Sequence, residues 1–494
     1  MNSLIGNEIA TDQVGRTNGL SVRKQAFLAN SEAFAAEREA WIAKNSTYYA
    51  DDIRYMRFLI PENARVLDLG CGTGRLLAAL NPSEGVGLDF SAAMIAEARR
   101  LNPGLRFVLG DAEDPDALAQ IEGVFDYIVL SDTIGMFDDI EEALKRLHRF
   151  CTPQTRIIVA HYSSYWNSLL NLATKVGWRM PQPQQNLLSL TDFLNILNLS
   201  DFEPIRMEWR QLLPARLLGL GRLVNRFIAP LPFIRNFCLR SYIVMRSKRA
   251  GIDSQLSTSI VIPCRNEEGN IARAIHELSR FGGAQEVIFV EGNSKDGTFD
   301  ECLRVQKAFA GQWDIKVLKQ DGKGKGDAVR KGFANASGDI LMILDADLTV
   351  PPSALPKFYD AIVSGKGEFI NGTRLVYPME NEAMRFLNHI ANRLFAFIFS
   401  YLLNQRFTDT LCGTKVLRRV DYERIAGARS YFGNFDPFGD FDLIFGAAKQ
   451  NLRIIEVPVH YMARTYGETQ ISRFRDGWLL VRMVAFAYLK LKAI

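Results

Sequence analysis

Short apolar runs, each closing on a glycine or a polar residue, recur along the chain in two series, and this alternation limits the fold more than any other feature. The first series is ARVLDLG (64–70), EGVGLDF (84–90), LRFVLGD (105–111), FDYIVLS (125–131) and TRIIVAH (155–161). The second is STSIVIPC (257–264), AQEVIFVEG (284–292), DIKVLKQ (314–320) and DILMILDAD (339–347). Runs of this length suit buried strands, and helical patterns fill the gaps between them. Strand and helix in alternation make a parallel α/β sheet. The stretch VMRSKRAGIDSQLS (244–257) is polar, has no period and reads as a linker. A length of 494 residues would by itself suggest about three domains. The two series instead predict two α/β domains with a boundary near residue 250. The first covers 1–246 with its core at about 50–165, the linker 247–257, and the second 258–494.

Composition narrows the function classes. A net charge of +4 is too mild to argue for nucleic acid. The six cysteines form no CxxC pair, so neither a zinc framework nor a disulfide scaffold is expected, which suits a reducing cytoplasm. The opening residues lack the apolar core of a signal peptide. Two segments, 385–403 and 477–494, approach the length of a membrane span, but charged or polar residues interrupt both. They read as surface-lying or core helices. Both carry basic residues beside an apolar face, as does LLPARLLGLGRLVNRFIAPLPFIRNF (212–237), and such segments suit an anionic membrane surface. From Gln211 to Ile252 there is no acidic residue.

In the first series, VLDLGCGTGRLLAAL (66–80) is strand, glycine loop, helix. Gly70, Gly72 and Gly74 permit a tight turn and close approach of a ligand to the backbone. Asp89 follows at the end of the next strand, where a carboxylate can take both hydroxyls of a ribose. The GxGxG spacing departs from the dinucleotide pattern GxGxxG, so a pyrophosphate cradle is not expected. Residues 66–160 resemble the class I S-adenosylmethionine-dependent methyltransferases. The resemblance implies that Asp68, Gly70, Gly72 and Gly74 belong to the loop for the methionine part of that cofactor. It puts Asp89 and Phe90 at the ribose, and Asp111 and Ala112 beside the adenine. HYSSYWNSLLNLATKVGW (161–178) is expected to shape the methyl-acceptor pocket, with His161 and Tyr162 as candidates for a base.

In the second series, DILMILDADLTVPP (339–352) runs an apolar strand into Asp345 and Asp347. Residues i and i+2 of a strand share a face, so the two carboxylates are expected side by side. Such a pair suits a hard cation such as Mg²⁺ or Mn²⁺ that also takes phosphate oxygens. Asn266 and Glu267, then Glu291 and Asp296, close the first two strands of this series, where α/β sheets place ligands. Lys325 lies in a glycine-rich loop able to meet anionic oxygens.

Residues 258–475 resemble the family 2 glycosyltransferases of the GT-A fold, and among them the polyprenyl-phosphate sugar transferases of the dolichol-phosphate mannose synthase type. The resemblance rests on IPCRNEEGNI, EGNSKDGT, the GKG loop, LDADLTVPP, NGTR, DTLCGTKVLRR, FGDFDLIFGAA and EVPVHYMARTYGET. It implies nucleotide-sugar contacts from Pro263, Asn266, Glu267, Glu291, Asp296, Lys325 and Asp345, and metal binding by Asp345 and Asp347. It offers Arg374, Arg464 and Arg473 for an acceptor phosphate, and Asp409, Asp440 and Asp442 as catalytic candidates. Relatives often carry glutamate where this chain has Ile444, and lysine where it has Gln470. A phosphate acceptor is already anionic and needs arginines, whereas a hydroxyl acceptor needs a base, with Asp440 or Asp442 available. The sequence thus predicts a peripheral membrane transferase at the cytoplasmic face. It would move a sugar from a UDP- or GDP-sugar to a polyprenyl phosphate or, alternatively, a glycan hydroxyl. A nucleotidyltransferase is a further alternative, as is a chain in which one domain has become a scaffold.

Overall fold

The computed structural model describes residues 20–186, 188–215, 219–249, 255–377, 386–432, 441–462, 464, 466 and 473–494, without the side chains of 386–392 and 473–477. The chain divides into two compact units at residue 250.

The first unit is built on a seven-stranded sheet. Its strands are β1 (Arg65–Leu69), β2 (Glu84–Asp89), β3 (Arg106–Leu109), β4 (Tyr127–Ser131), β5 (Arg156–Tyr162), β6 (Phe202–Arg210) and β7 (Arg240–Ser247). They lie in the order β3-β2-β1-β4-β5-β7-β6. The first five pair in parallel, and β7 runs antiparallel between β5 and β6. Leu67, Leu69, Val86, Ile128 and Ile157 are fully buried, as expected of parallel strands covered on both faces. The order reverses between β1 and β4, and ligand crevices open at such a switch point. The β6 strand escapes an apolar-run reading because Arg206, Glu208 and Arg210 occupy alternate buried positions. Arg206 lies over the Phe58 ring and Arg210 over Tyr55, both on the helix Ser46–Leu59.

The second unit holds another seven-stranded sheet. Its strands are β8 (Thr258–Cys264), β9 (Gln285–Glu291), β10 (Asp314–Lys319), β11 (Ile340–Ile343), β12 (Phe369–Thr373), β13 (Lys415–Arg418) and β14 (Ile454–Pro458). The order is β10-β9-β8-β11-β13-β12-β14. The strands β8 to β11 are parallel, and β13 is antiparallel to both its neighbours. The reversal falls between β8 and β11, beside the acid pair. Ile260, Ile262, Val287, Phe289 and Met342 form the core on which helices such as Glu268–His276 and Leu355–Val363 pack. The helix Phe386–Leu403 and the terminal helix Arg473–Leu491 also belong to this unit. Among the described residues no helix is long and apolar enough to cross a membrane.

Candidate functional sites

In the first unit a cavity opens over the C-terminal ends of β1, β2 and β4. Gly70, Gly72, Asp89, Phe90, Asp111 and Ala112 all line it. The loop glycines have φ of 79°, 53° and 73° at 70, 72 and 74, a region that disfavours side chains. A Cβ on Gly70 would lie 2.2 Å from Thr133 Oγ1. Gly74 does not line the cavity; a Cβ there would meet the Phe107 ring at 2.6 Å, so this glycine serves helix–strand packing. Asp89 is buried, and it accepts from Gly72 N–H at 2.9 Å and Ser91 N–H at 3.0 Å. Burial pushes its carboxyl above the usual range against those two bonds. Asp68 is buried in β1 and stands behind the cavity wall, not in it. Burial, reinforced by the charges of Asp89 and Asp52, pushes it up to about 7.

Residues that the sequence did not single out complete the wall. Lys24, Arg38 and Tyr49 reach it from helices Val22–Phe34, Arg38–Lys44 and Ser46–Leu59, outside the expected core. Lys24 is buried and forms ion pairs with Asp111 and Glu113. Glu32 and Glu39 fasten the same helices by accepting from Ser91 Oγ at 2.7 Å and Thr73 Oγ1 at 2.8 Å. Asp132, also in the wall, is held through both oxygens at 2.8 Å by the buried Arg240, which pairs with Asp52 at 3.0 Å as well. No local motif marks these residues, because their partners are distant in sequence.

Two expectations for the acceptor side are corrected. His161 is buried behind the cavity, bonds its Nδ1 to the Tyr162 carbonyl at 3.0 Å and faces Phe193, so it is not placed as a base. Burial lowers its pKa, which keeps it neutral. Tyr162 does line the cavity, with its hydroxyl 3.1 Å from that of Tyr48. The segment 163–178 does not form the pocket wall. The chain leaves the cavity at Tyr162 and rejoins it at Met180.

In the second unit Pro263, Glu267, Lys325, Asp345, Asp347 and Arg464 line one cleft. The strand β11 ends at Ile343, and a turn closed by Leu348 N–H to the Asp345 carbonyl carries the two acids. Their convergence therefore comes from a turn, not from the alternation of an extended strand. Asp345 pairs with Lys325 at 2.7 Å, and Asp347 pairs with Arg464 while accepting from Thr349 Oγ1 at 2.8 Å. Burial would raise the Asp345 pKa, but Lys325, Lys415 and Arg374 outweigh it and hold the carboxyl below its usual range. Gly413 makes room for this pair, since a Cβ there would lie 1.7 Å from Asp345 Oδ2 and 2.5 Å from Lys325 Nζ. Lys325 opens the helix Lys325–Ala334, whose N-terminal N–H groups favour an anion. Glu267 is raised by burial, with the nearby Asp347 charge adding to it.

Asn266, Glu291 and Asp296 brace the cleft and do not line it. Asn266 N–H donates to Ser294 Oγ at 3.0 Å, and Lys295 N–H donates to Asn266 Oδ1 at 2.8 Å. Glu291 accepts from Ser294 N–H, and Asp296 accepts from Thr298 N–H at 3.1 Å. Together they tie the loop after β8 to the loop after β9.

The catalytic and acceptor candidates fare unevenly. Asp409 is buried and bound by Arg374 through two bonds at 2.6 and 2.8 Å. Burial alone would raise Asp409, yet Arg374 holds it below the usual carboxylate range. With its carboxylate held this way it is a structural anchor, not a base, and the same pair engages Arg374. Asp442 is not a spare acid, because it pairs with Arg429 at 2.8 Å. Ile444 is core. Asp440 and Gln470 lie outside the described residues, as does the side chain of Arg473.

Residues 41–206 match the model of a methyltransferase domain, and residues 259–426 match that of glycosyl transferase family 2. The chain joins a methyltransferase domain to a family 2 glycosyl transferase domain, and both are transferases. Three curated relatives match part of the chain. The low-salt glycan biosynthesis hexosyltransferase Agl6 of Haloferax volcanii is 28% identical over 48% of this chain and 54% of its own. The dolichol-phosphate mannosyltransferase of Pyrococcus furiosus is 26% identical over 44% of this chain and 60% of its own. The dolichyl-phosphate hexose transferase of Haloferax volcanii is 28% identical over 44% and 88%. The chain thus spans little more than half the length of the first two.

Two solved structures of low identity align with part of the chain. A TehB-like SAM-dependent methyltransferase from Corynebacterium glutamicum is 20% identical, covering 44% of this chain and 98% of its own, with a TM-score of 0.30. Glucosyl-3-phosphoglycerate synthase from Mycobacterium tuberculosis, in complex with Mn²⁺, UDP and glucosyl-3-phosphoglycerate, is 19% identical over 49% and 81%, with a TM-score of 0.35.

Proposed function

We propose that the second domain transfers a sugar from a UDP- or GDP-sugar to a polyprenyl phosphate at the cytoplasmic face of an anionic membrane. The first domain methylates an acceptor drawn from the same glycolipid or the sugar it carries, using S-adenosylmethionine. The observation that carries the sugar reading is the cleft in which Asp345 and Asp347 stand against Lys325 and Arg464. Two acids with two movable cations can exchange partners when a diphosphate enters. The acids fit Mg²⁺ or Mn²⁺, being hard oxygen donors; among the described residues no third His, Cys, Asp or Glu joins them, so phosphate oxygens and water would complete the shell. A metal held there would neutralise the departing diphosphate. Lys325 meets the same charge from the helix start, and Arg464 with Arg473 serves the acceptor phosphate.

The acceptor phosphate oxygen attacks the anomeric carbon as the sugar–diphosphate bond breaks, inverting that carbon and releasing nucleoside diphosphate. An anionic acceptor needs no base, which agrees with the engagement of Asp409 and Asp442 in ion pairs. Two relatives, a dolichol-phosphate mannosyltransferase and a dolichyl-phosphate hexose transferase, support the same acceptor class. Leu394, Phe397, Trp478, Val481 and Leu489 leave apolar surface exposed on the two long helices, which suits membrane contact.

In the first domain, the glycine loop, Asp89 and the Asp111–Ala112 turn converge on one cavity and fit S-adenosylmethionine. That group supplies an activated methyl sulfonium when bound. Asp89 offers carboxylate oxygens to the ribose, and the N-terminal helices exclude water from the site.

The test is nucleoside diphosphate release from UDP- and GDP-sugars with Mg²⁺ or Mn²⁺, with and without a short-chain polyprenyl phosphate. Release that depends on the lipid phosphate is expected. Release only with a saccharide acceptor would replace this reading by glycan elongation, and release of pyrophosphate would replace it by nucleotidyl transfer.

A further inference from the structure

The segment that leaves the first-domain cavity at Tyr162 and returns at Met180 carries a run of outward apolar side chains. Tyr165 is 81% exposed and Trp178 71%, and Leu169, Leu172 and Val176 are exposed between them. A second segment, Leu220–Phe237, does the same: Phe233 is 84% exposed and Phe237 67%, with Leu220, Leu223 and Ile228 also open to solvent. The two are joined, since Trp166 Nε1 donates to the Phe237 carbonyl at 2.8 Å. Both are anchored to the body of the domain. Lys44 Nζ donates to the Gly177 carbonyl at 2.6 Å, Arg179 lies over the Tyr162 ring, and Asn225 Nδ2 donates to Asp51 Oδ2 at 3.1 Å. This is therefore a built surface, and a contiguous apolar face of this kind marks an interaction site.

Its charge identifies the occupant. No Asp or Glu occurs from Ala143 to Thr191 or from Gln211 to Ile252, while Lys175, Arg179, Arg222, Arg226 and Arg235 punctuate the two segments. Apolar side chains among cations, with acids absent, match an anionic bilayer interface, where the apolar groups enter the acyl boundary and the cations meet headgroups. We propose that this face of the first domain docks on an anionic lipid surface. The cavity rim, Tyr162 on one side and Met180 on the other, is then held at the lipid boundary, and the methyl acceptor is lipid-borne. The acceptor class rests on the reading of the cavity as the S-adenosylmethionine site; the docking face does not.

The experiment is flotation of the full chain with vesicles of phosphatidylcholine alone or with phosphatidylglycerol added. The background carries Phe397→Ser and Trp478→Ser, which blunts the second domain's exposed helices. In it, Phe233→Ser/Phe237→Ser and, separately, Tyr165→Ser/Trp178→Ser are expected to weaken partition onto anionic vesicles about tenfold or more each, from the lost apolar burial. Their S-adenosylmethionine affinity, measured by calorimetry, should stay at the background value, which establishes that they fold. Binding by both variants equal to the background would overturn the docking face. So would a dimer that the variants dissociate while vesicle binding is unchanged, since the face would then join two copies of the chain. A background protein that floats through this face yet fails to bind S-adenosylmethionine would overturn the cavity reading, and with it the lipid-borne acceptor, while the docking face stands.

Discussion

In the first unit Asp68 and Asp89 are buried near the strand ends, and burial pushes their carboxyls above the usual range, the Arg38 charge offsetting it only in part at Asp89. In the second unit Asp345 and Asp347 occupy the equivalent place beside the switch point, each already paired with a cation. The same sheet edge thus carries acids prepared for opposite tasks. An acid in a low-dielectric wall forms strong hydrogen bonds to a neutral hydroxyl, as a ribose requires. An acid pair already ion-paired with lysine and arginine would, in the proposed reading, trade those partners for a metal and a diphosphate. The difference teaches that fold position sets where a site lies, and the neighbouring charges set what it binds.

The strongest way to break this comparison is Asp347→Ala. It is expected to lower lipid-phosphate-dependent nucleoside diphosphate release by about a thousandfold, as loss of a group that acts on the developing charge does. S-adenosylmethionine affinity should be unchanged, and a joint loss would end the assumption of two independent sites. Next comes Asp89→Ala, expected to weaken S-adenosylmethionine binding about a hundredfold by calorimetry, as loss of a charged hydrogen-bonding partner implies. Sugar transfer should persist, and equal binding by the variant would remove the ribose assignment.

A smaller effect is expected from Gly413→Ala. The new Cβ would displace Asp345 and Lys325, so turnover should fall about tenfold, in line with a misplacement of the reacting groups. Wild-type turnover would show that the pair is not part of the site.

The smallest effect concerns stability and sharpens the contrast in sign. Asp68 is raised to about 7, so the native state holds its proton while the unfolded state, with an ordinary carboxyl, has lost it. Its contribution to stability is therefore lost progressively as pH rises from about 4 to about 7. Asp68→Asn should flatten that decline and raise first-domain stability at pH 8 by roughly 1–2 kcal/mol. The readout is the thermal transition that S-adenosylmethionine shifts. Glu286 in the second unit behaves in the opposite way. Burial would raise it, but Lys316, Ser259 and Ser337 hold it at about 2, so its contribution is present at neutral pH and lost as pH falls below about 4.5. Parallel pH profiles for the two transitions would contradict the contrast.

Much of this was legible in sequence where the signal is local. The strands β1–β5 and β8–β11 appear as apolar runs, and the glycine loop, Asp89, Asp111, Asp345 and Asp347 sit at fixed offsets from them. The strand β6 was not, because buried Arg206, Glu208 and Arg210 interrupt the pattern that signals a strand, and β7 was not, because its end, residues 244–247, reads as linker yet is buried strand, so the linker is shorter than 244–257. Asp409, Asp442 and Arg374 looked free in sequence because an ion pair leaves no trace there when its partners are far apart. The same distance concealed Lys24 at Asp111 and Arg240 at Asp132.

The amino-acid sequence by itself determined the two α/β series, their division near residue 250 and the carboxylates at the strand ends, since periodicity and short spacings are properties of neighbours along the chain. Only the tertiary structure decided which acids face a cavity and which are locked to a cation. It also decided that the segments around Trp178 and Phe233 share one exposed face. Burial and ion pairing depend on what the fold brings from elsewhere, and a one-dimensional pattern does not carry that.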